Sequence, residues 1–220
     1  VCMAIAFAHS RGVIHRDIKP SNVMIGDFGE TLVLDWGVAK VIGSDDEVLA
    51  DSELVVTDRS VSDDATMVGL ITGTPSYMAP EQAAGRVDRL DERSDIYALG
   101  ALLYEILCLK PPFKRKSHRD TLKAVITEQP IPPSVRAPER GVPAALEDIC
   151  LRCLSKRRSG RYQTTKEIID SLMQYLAGVE DLDRRSKRSE ERLKMALGHV
   201  DSFNKLRARI TEAREQVEEL

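Results

Sequence analysis

The sequence predicts a mainly α-helical fold that carries one small β-hairpin and continues into a long charged helix. Three observations predict it. Ile96, Leu99, Leu103 and Ile106 recur near helical spacing in a run stopped by Pro111-Pro112. Two short apolar runs, 22–25 and 31–34, flank Gly26-Asp27-Phe28-Gly29-Glu30, the pattern of a hairpin with a glycine-bearing loop. From Asp181 to Leu220, 19 of 40 residues are charged and none is proline, yet Phe203, Leu206, Ile210, Ala213, Val217 and Leu220 step 3-4-3-4-3, a heptad seam.

The remaining elements follow in order. Val1 to His9 reads as the end of a helix, with Gly12 as its left-handed stop. Val13-Ile14 is a short apolar pair that suits a strand. Ser44 to Thr66 holds eight acidic residues, one basic residue and six Ser/Thr, which predicts a loop. The helix carrying Ile96 is expected from Asp95. Five prolines between Gln129 and Pro143 predict an irregular connection, followed by helices over 144–155 and 165–176. Gly178 marks the division between a domain at 1–178 and a charged amphipathic helix at 179–220. That tail suits a coiled coil better than a helix packed on its own domain. Six basic and two acidic residues at 184–194 face four acidic and one basic at 212–219 if two copies pair antiparallel, so a homodimer is the expected partner state.

Composition excludes several classes. The chain has 220 residues, 42% apolar, enough for one sizeable core. With 32 Lys+Arg against 35 Asp+Glu, the net charge of −3 lacks the basic excess of a dedicated nucleic-acid binder. Four cysteines are too few for a secreted disulfide scaffold. The longest apolar stretch, Ile96 to Leu107, is 12 residues and contains Glu105, too short to span a bilayer. No basic residue precedes the apolar run at Val1 to Ala8, so no signal peptide is visible. A chain opening inside such a run is expected to be a fragment.

The chemistry concentrates in His15-Arg16-Asp17-Ile18-Lys19-Pro20-Ser21-Asn22. Asp and Asn stand five apart, with Lys two after the Asp, as in the protein-kinase catalytic loop. A magnesium aspartate should follow at the end of a strand. Asp27-Phe28-Gly29 spells that motif but lies five residues after Asn22, in the hairpin turn. Asp35-Trp36-Gly37 lies 13 residues after Asn22, directly after the second strand, and is the better choice. Gly73-Thr74-Pro75-Ser76-Tyr77-Met78-Ala79-Pro80-Glu81 resembles the end of an activation segment spanning 35–81. Ser94-Asp95-Ile96-Tyr97-Ala98-Leu99-Gly100 resembles the buried central helix. Pro111-Pro112-Phe113 and Arg161-Tyr162 match later landmarks. Over residues 1–176 the chain resembles the large C-terminal lobe of a eukaryotic-like serine/threonine protein kinase of bacterial type.

The resemblance implies transfer of the ATP γ-phosphate to Ser/Thr hydroxyls of protein substrates, with magnesium. It implies that Asp17 orients the hydroxyl, that Lys19 meets charge on the transferred phosphate, and that Asn22 and Asp35 ligate the metal. Thr74 would bond Asp17 and Lys19, and Met24 would form the floor under adenine. Asp95 would organise the catalytic-loop backbone, and Glu81 would pair with Arg161. Arg16 would receive a phosphate placed on Thr66 or Thr72. The implied location is cytoplasmic. No Gly-rich loop, strand lysine or partner glutamate of a small lobe occurs in the sequence, so the fragment alone is expected to be inactive. The rival is a non-catalytic kinase-like interaction module. His15 is expected to pack behind the loop; His9, His118 and His199 have no metal-ligand spacing; Cys150 and Cys153 are expected to be buried thiols.

Overall fold

The computed structural model describes residues 1–41 and 74–218. The chain divides into two compact units, Val1–Leu172 and Met173–Leu220. The first unit opens with helix α1, Cys2–Ser10, which ends as Gly12 turns left-handed at φ 71°. Strand β1, Val13–Ile14, pairs antiparallel with β4, Lys40–Val41. Between them the chain makes a 3₁₀ turn at Pro20–Asn22 and a hairpin of β2, Val23–Ile25, and β3, Thr31–Val33. Its register sets Val23 opposite Val33 and Met24 opposite Leu32. Gly29, at φ 84°, lets the loop close.

A helical base follows. Its elements are α2 (Pro80–Ala83), α3 (Glu92–Cys108), α4 (His118–Thr127), α5 (Pro133–Arg136), α6 (Ala144–Cys153) and the start of α7 (Thr165–Glu218). Helix α3 is the axis: Ile96, Tyr97, Ala101 and Tyr104 are fully buried. On one side of α3, Ile5, Ile18, Ile149 and Ile168 close a cluster with Ile96 and Leu99. On another, Tyr97 and Tyr104 pack with Cys150 and Leu154. Each fully buried Ile or Leu of these clusters contributes about 1.5–3 kcal/mol. Helices α3 and α6 meet at Gly100, where a Cβ would collide with the Cβ of Cys153. Cys150 donates its thiol to the Gly100 carbonyl at 3.5 Å. Burial pushes both thiols up, and all four cysteines are free.

Four boundaries differ from the sequence expectation. Helix α3 starts at Glu92 rather than Asp95, because the Asp91 carboxylate caps it by accepting the Arg93 N–H at 3.0 Å. It stops at Cys108, before the prolines: Leu109 turns left-handed and donates to Glu105 O. The connection at 129–143 is not wholly irregular, since Pro133 and Pro138 open a short helix and a 3₁₀ turn, positions where a missing N–H loses nothing. Helix α7 passes through Gly178 without a break. Among the described residues, no helix is long and apolar enough to cross a membrane.

Candidate active site

The loop between β1 and β2 is shaped by one buried carboxylate. Asp95, in the first turn of α3 and fully buried, accepts the backbone N–H of His15 at 2.8 Å and of Arg16 at 2.8 Å. His9 Nε2 meets the same carboxylate at 2.8 Å, and His9 Nδ1 meets the Thr165 hydroxyl at 3.0 Å. These bonds hold Arg16 at φ 68°, a left-handed backbone uncommon for arginine. The Arg16 carbonyl accepts from Gln82 Nε2 at 2.7 Å, and its Nε donates to the Val38 carbonyl. The turn this forces presents Asp17.

His15 is structural, as expected. Its ring is buried, accepts the Asp17 N–H at Nδ1 (3.2 Å) and, in that tautomer, donates from Nε2 to the Leu34 carbonyl (3.1 Å). The ring of Trp36 lies 4.5 Å from it, tilted by 53°. The imidazole thus ties the loop to the end of β3.

Asp17, Lys19 and Asn22 come together. Lys19 Nζ donates to Asp17 Oδ2 at 2.7 Å. Asn22 Nδ2 donates to the Asp17 carbonyl at 2.8 Å and to Oδ2 at 3.2 Å. Among the described residues, Asp17 Oδ1 makes no hydrogen bond, so one carboxylate oxygen is fixed from behind and the other is open to accept. The two engaged hydrogens of Asn22 orient its amide and leave the oxygen as the acceptor end.

The hairpin carries Asp35 to the same end. Leu34 N–H donates to the Asn22 carbonyl at 2.8 Å, extending the β2–β3 ladder by one rung, and Asp35 is the next residue. Asp35 sits at φ 62°, exposed. Of three non-glycine residues at positive φ among the described residues, two adjoin this site. Asp27 lies in the turn at the other end of the hairpin, beside Phe28, which is 98% exposed.

Thr74 is not bonded into this group: among the described residues its hydroxyl makes no hydrogen bond to Asp17 or Lys19. The segment after it is firmly held. Tyr77 donates its hydroxyl to the Glu105 carboxylate, and burial followed by that carboxylate pushes the phenol up. Farther on, Arg161 forks onto Glu81, NH1 to Oε1 at 2.7 Å and NH2 to Oε2 at 2.9 Å, both side chains buried. Its other donors reach the carbonyls of Ser155, Arg93 and Lys156, and Ser94 Oγ adds a bond to Glu81 at 2.9 Å. Thr66 and Thr72 lie outside the described residues.

A family model described as the protein kinase domain matches residues 1–174. The chain belongs to the protein kinase family. It is 42% identical over 180 residues to the serine/threonine-protein kinase PknD of Protochlamydia amoebophila (strain UWE25) and 38% identical over 178 residues to that of Chlamydia felis (strain Fe/C-56). Each match covers 81% of this chain and 18% of the relative, so the chain spans about a fifth of the length of these proteins. The matched residues fold as the helix-rich lobe described above.

Within this kinase lobe the hairpin turns apolar side chains to solvent. Met24, on β2 just past Asn22, is 53% exposed, and Leu32 opposite it is 51% exposed. Sequence reasoning missed His9 and Thr165 as partners in the Asp95 network. Neither has a spacing signal, because the contact spans 86 residues to Asp95 and 156 to Thr165.

Proposed function

We propose that the chain supplies the phosphoryl-transfer half of a serine/threonine protein kinase that takes ATP, magnesium and protein hydroxyls. One observation carries this reading: Asp17 is held at Oδ2 by both Lys19 and Asn22 while, among the described residues, Oδ1 makes no hydrogen bond. A group that orients a hydroxyl for in-line attack must be fixed yet have a free acceptor. Asp17 Oδ1 accepts the hydroxyl proton as the new oxygen–phosphorus bond forms and the bond to the departing nucleotide breaks. Lys19, already pinned to Asp17, lies where negative charge gathers on the transferred group. Asn22 and Asp35 offer oxygen donors, the set that suits magnesium rather than zinc. Bound magnesium supplies charge neutralisation on the phosphates. Among the described residues no three His, Cys, Asp or Glu converge on a metal, so phosphate and water would complete its shell. Met24 offers an apolar surface for the base. The rival, a non-catalytic interaction module, has no use for a carboxylate pinned on one oxygen.

The test is paramagnetic. Manganese added with a nucleoside diphosphate broadens the amide signals of Asn22 and Asp35 and leaves Asp27 sharp. Broadening centred on Asp27, or none near Asn22, overturns the metal assignment.

The tail helix carries a second proposal, pairing with another copy of this chain. Val179, Leu182, Leu193, Val200 and Phe203 are each 44–67% exposed along α7. With Ala196 they form their own 3-4 series from 179 to 203, interrupted by serines at 186 and 189, and a second step of three, from 203 to 206, shifts it into the register of the 203–220 seam. Sedimentation of the chain with and without 181–220 tests this; a monomer in both forms at high concentration removes it.

A further inference from the structure

A basic loop and a groove stand together on the wall of the lobe formed by α4. In a chain of net charge −3, residues 110–123 hold six Lys/Arg and one acid, Asp120. Arg115 is paired with Glu128. Asp120, exposed, accepts the hydroxyl of Ser117, which caps α4. Lys110, Lys114, Lys116, Arg119 and Lys123 are exposed and, among the described residues, make no side-chain hydrogen bond or ion pair. Beside them opens a groove of about 560 Å³, lined by Arg119, Asp120, Leu122, Lys123, Ile126 and Thr127. Its apolar part is Leu122 and Ile126, the latter 39% exposed.

We propose that this groove docks an acidic, extended protein segment with one large apolar residue, and that such segments mark the substrates. The inference rests on the kinase reading above. Five uncompensated cations are a surface that repels itself until an anionic partner arrives, and Leu122–Ile126 gives that partner an anchor that a simple polyanion lacks. That anchor favours peptide over nucleic acid, as does a patch confined to one loop and one helix turn. The placement suits substrate capture. Leu122 packs on the cluster of Met78, Ala83, Phe113, Ala124 and Val125, so α4 shares a core with the 75–83 segment. Gln82 of that segment is bonded to the Arg16 carbonyl, next to Asp17. A segment held on α4 therefore raises the effective concentration of its linked hydroxyl near the loop.

The experiment measures binding by the 220-residue chain, without nucleotide, so its outcome is independent of whether phosphoryl transfer occurs. A labelled poly-glutamate peptide with one central leucine is titrated at low and high salt, beside a leucine-free peptide and a single-stranded oligonucleotide of equal charge. The leucine peptide binds best, and salt weakens it. Lys114→Glu/Lys116→Glu/Arg119→Glu lowers its affinity by about tenfold or more. Ile126→Ala removes the advantage of the leucine peptide over the leucine-free one. The same charge reversal at Arg184, Lys187 and Arg188 leaves the affinity unchanged. Equal or tighter binding of the oligonucleotide, no effect of the groove substitutions, or loss of binding on the tail substitutions overturns the proposal.

Discussion

The hairpin and the helical base of the same lobe are built by opposite rules. In the base, Arg161 is 1% exposed and all of its donor groups are engaged, by Glu81 and by three carbonyls. In the hairpin, Met24, Ile25 and Leu32 are more than half exposed and hold together mainly through a three-rung ladder. The base is closed on itself. The hairpin presents apolar faces to solvent although it carries the end of the site at Asn22 and Asp35. The burial thus concentrates in the base, while the rim that carries the candidate site keeps surface exposed. Asp95 joins the two, since it is buried in the base and bonded to the backbone of the loop.

The largest effect should come from opening the base. Arg161→Ala leaves Glu81 buried and uncompensated, which destabilises by about 3–5 kcal/mol. Leu32→Ala on the exposed hairpin face should stay within about 0.5 kcal/mol of the parent. Chemical denaturation of the two variants measures both, and equal losses would break the comparison.

Asp95→Ala comes next. It strips the acceptor from the His15 and Arg16 amides, each buried N–H left unpaired costing about 1–3 kcal/mol. Hydrogen exchange should show those two amides losing protection first while the α3–α6 contact at Gly100 stays protected. Uniform loss across the lobe would mean that Asp95 belongs to the base alone.

A smaller effect is a pH dependence confined to the base. Lys156 donates to the Val125 carbonyl at 2.6 Å and lies 4.1 Å from the centre of the Phe113 ring. Burial, then the nearby Arg161 charge, lowers its amine to about 8, against 10.5 ordinarily. Between these values the unfolded chain binds the proton that the folded chain has released, so this group's contribution to stability rises with pH across that window. The group is partly exposed, so screening reduces the effect. The difference in stability between the parent and Lys156→Met, followed by denaturation across the window, should change with pH; a flat difference contradicts the placement.

Much of the lobe was legible because its signals are local. Eight consecutive residues carry the resemblance to a kinase catalytic loop, and the count from Asn22 to Asp35 leaves room for a hairpin where the count to Asp27 does not. The Glu81–Arg161 pair was legible only through family resemblance, since 80 residues separate the partners. Helix α4 was not legible: His118, Arg119, Asp120 and Lys123 dilute its apolar face to Leu122, Ala124, Val125 and Ile126, and its start rests on the Ser117 cap. The β1–β4 pairing rests on two residues from each strand, too few for any alternation to register. The Asp91 cap and the left-handed Leu109 moved both ends of α3, because capping and tertiary packing override the apolar spacing that located its middle.

Phosphoryl transfer is measured in a protein where a glycine-rich ATP-binding lobe precedes Val1. Radiolabelled γ-phosphate transfer to a protein substrate is followed with magnesium and with chelator. Magnesium-dependent transfer is expected, abolished by Asp17→Asn and by Asp35→Asn and left intact by Asp27→Asn. The 220-residue chain by itself should transfer almost nothing. Full activity of Asp17→Asn, or loss of activity in Asp27→Asn with Asp35→Asn unaffected, would contradict this expectation.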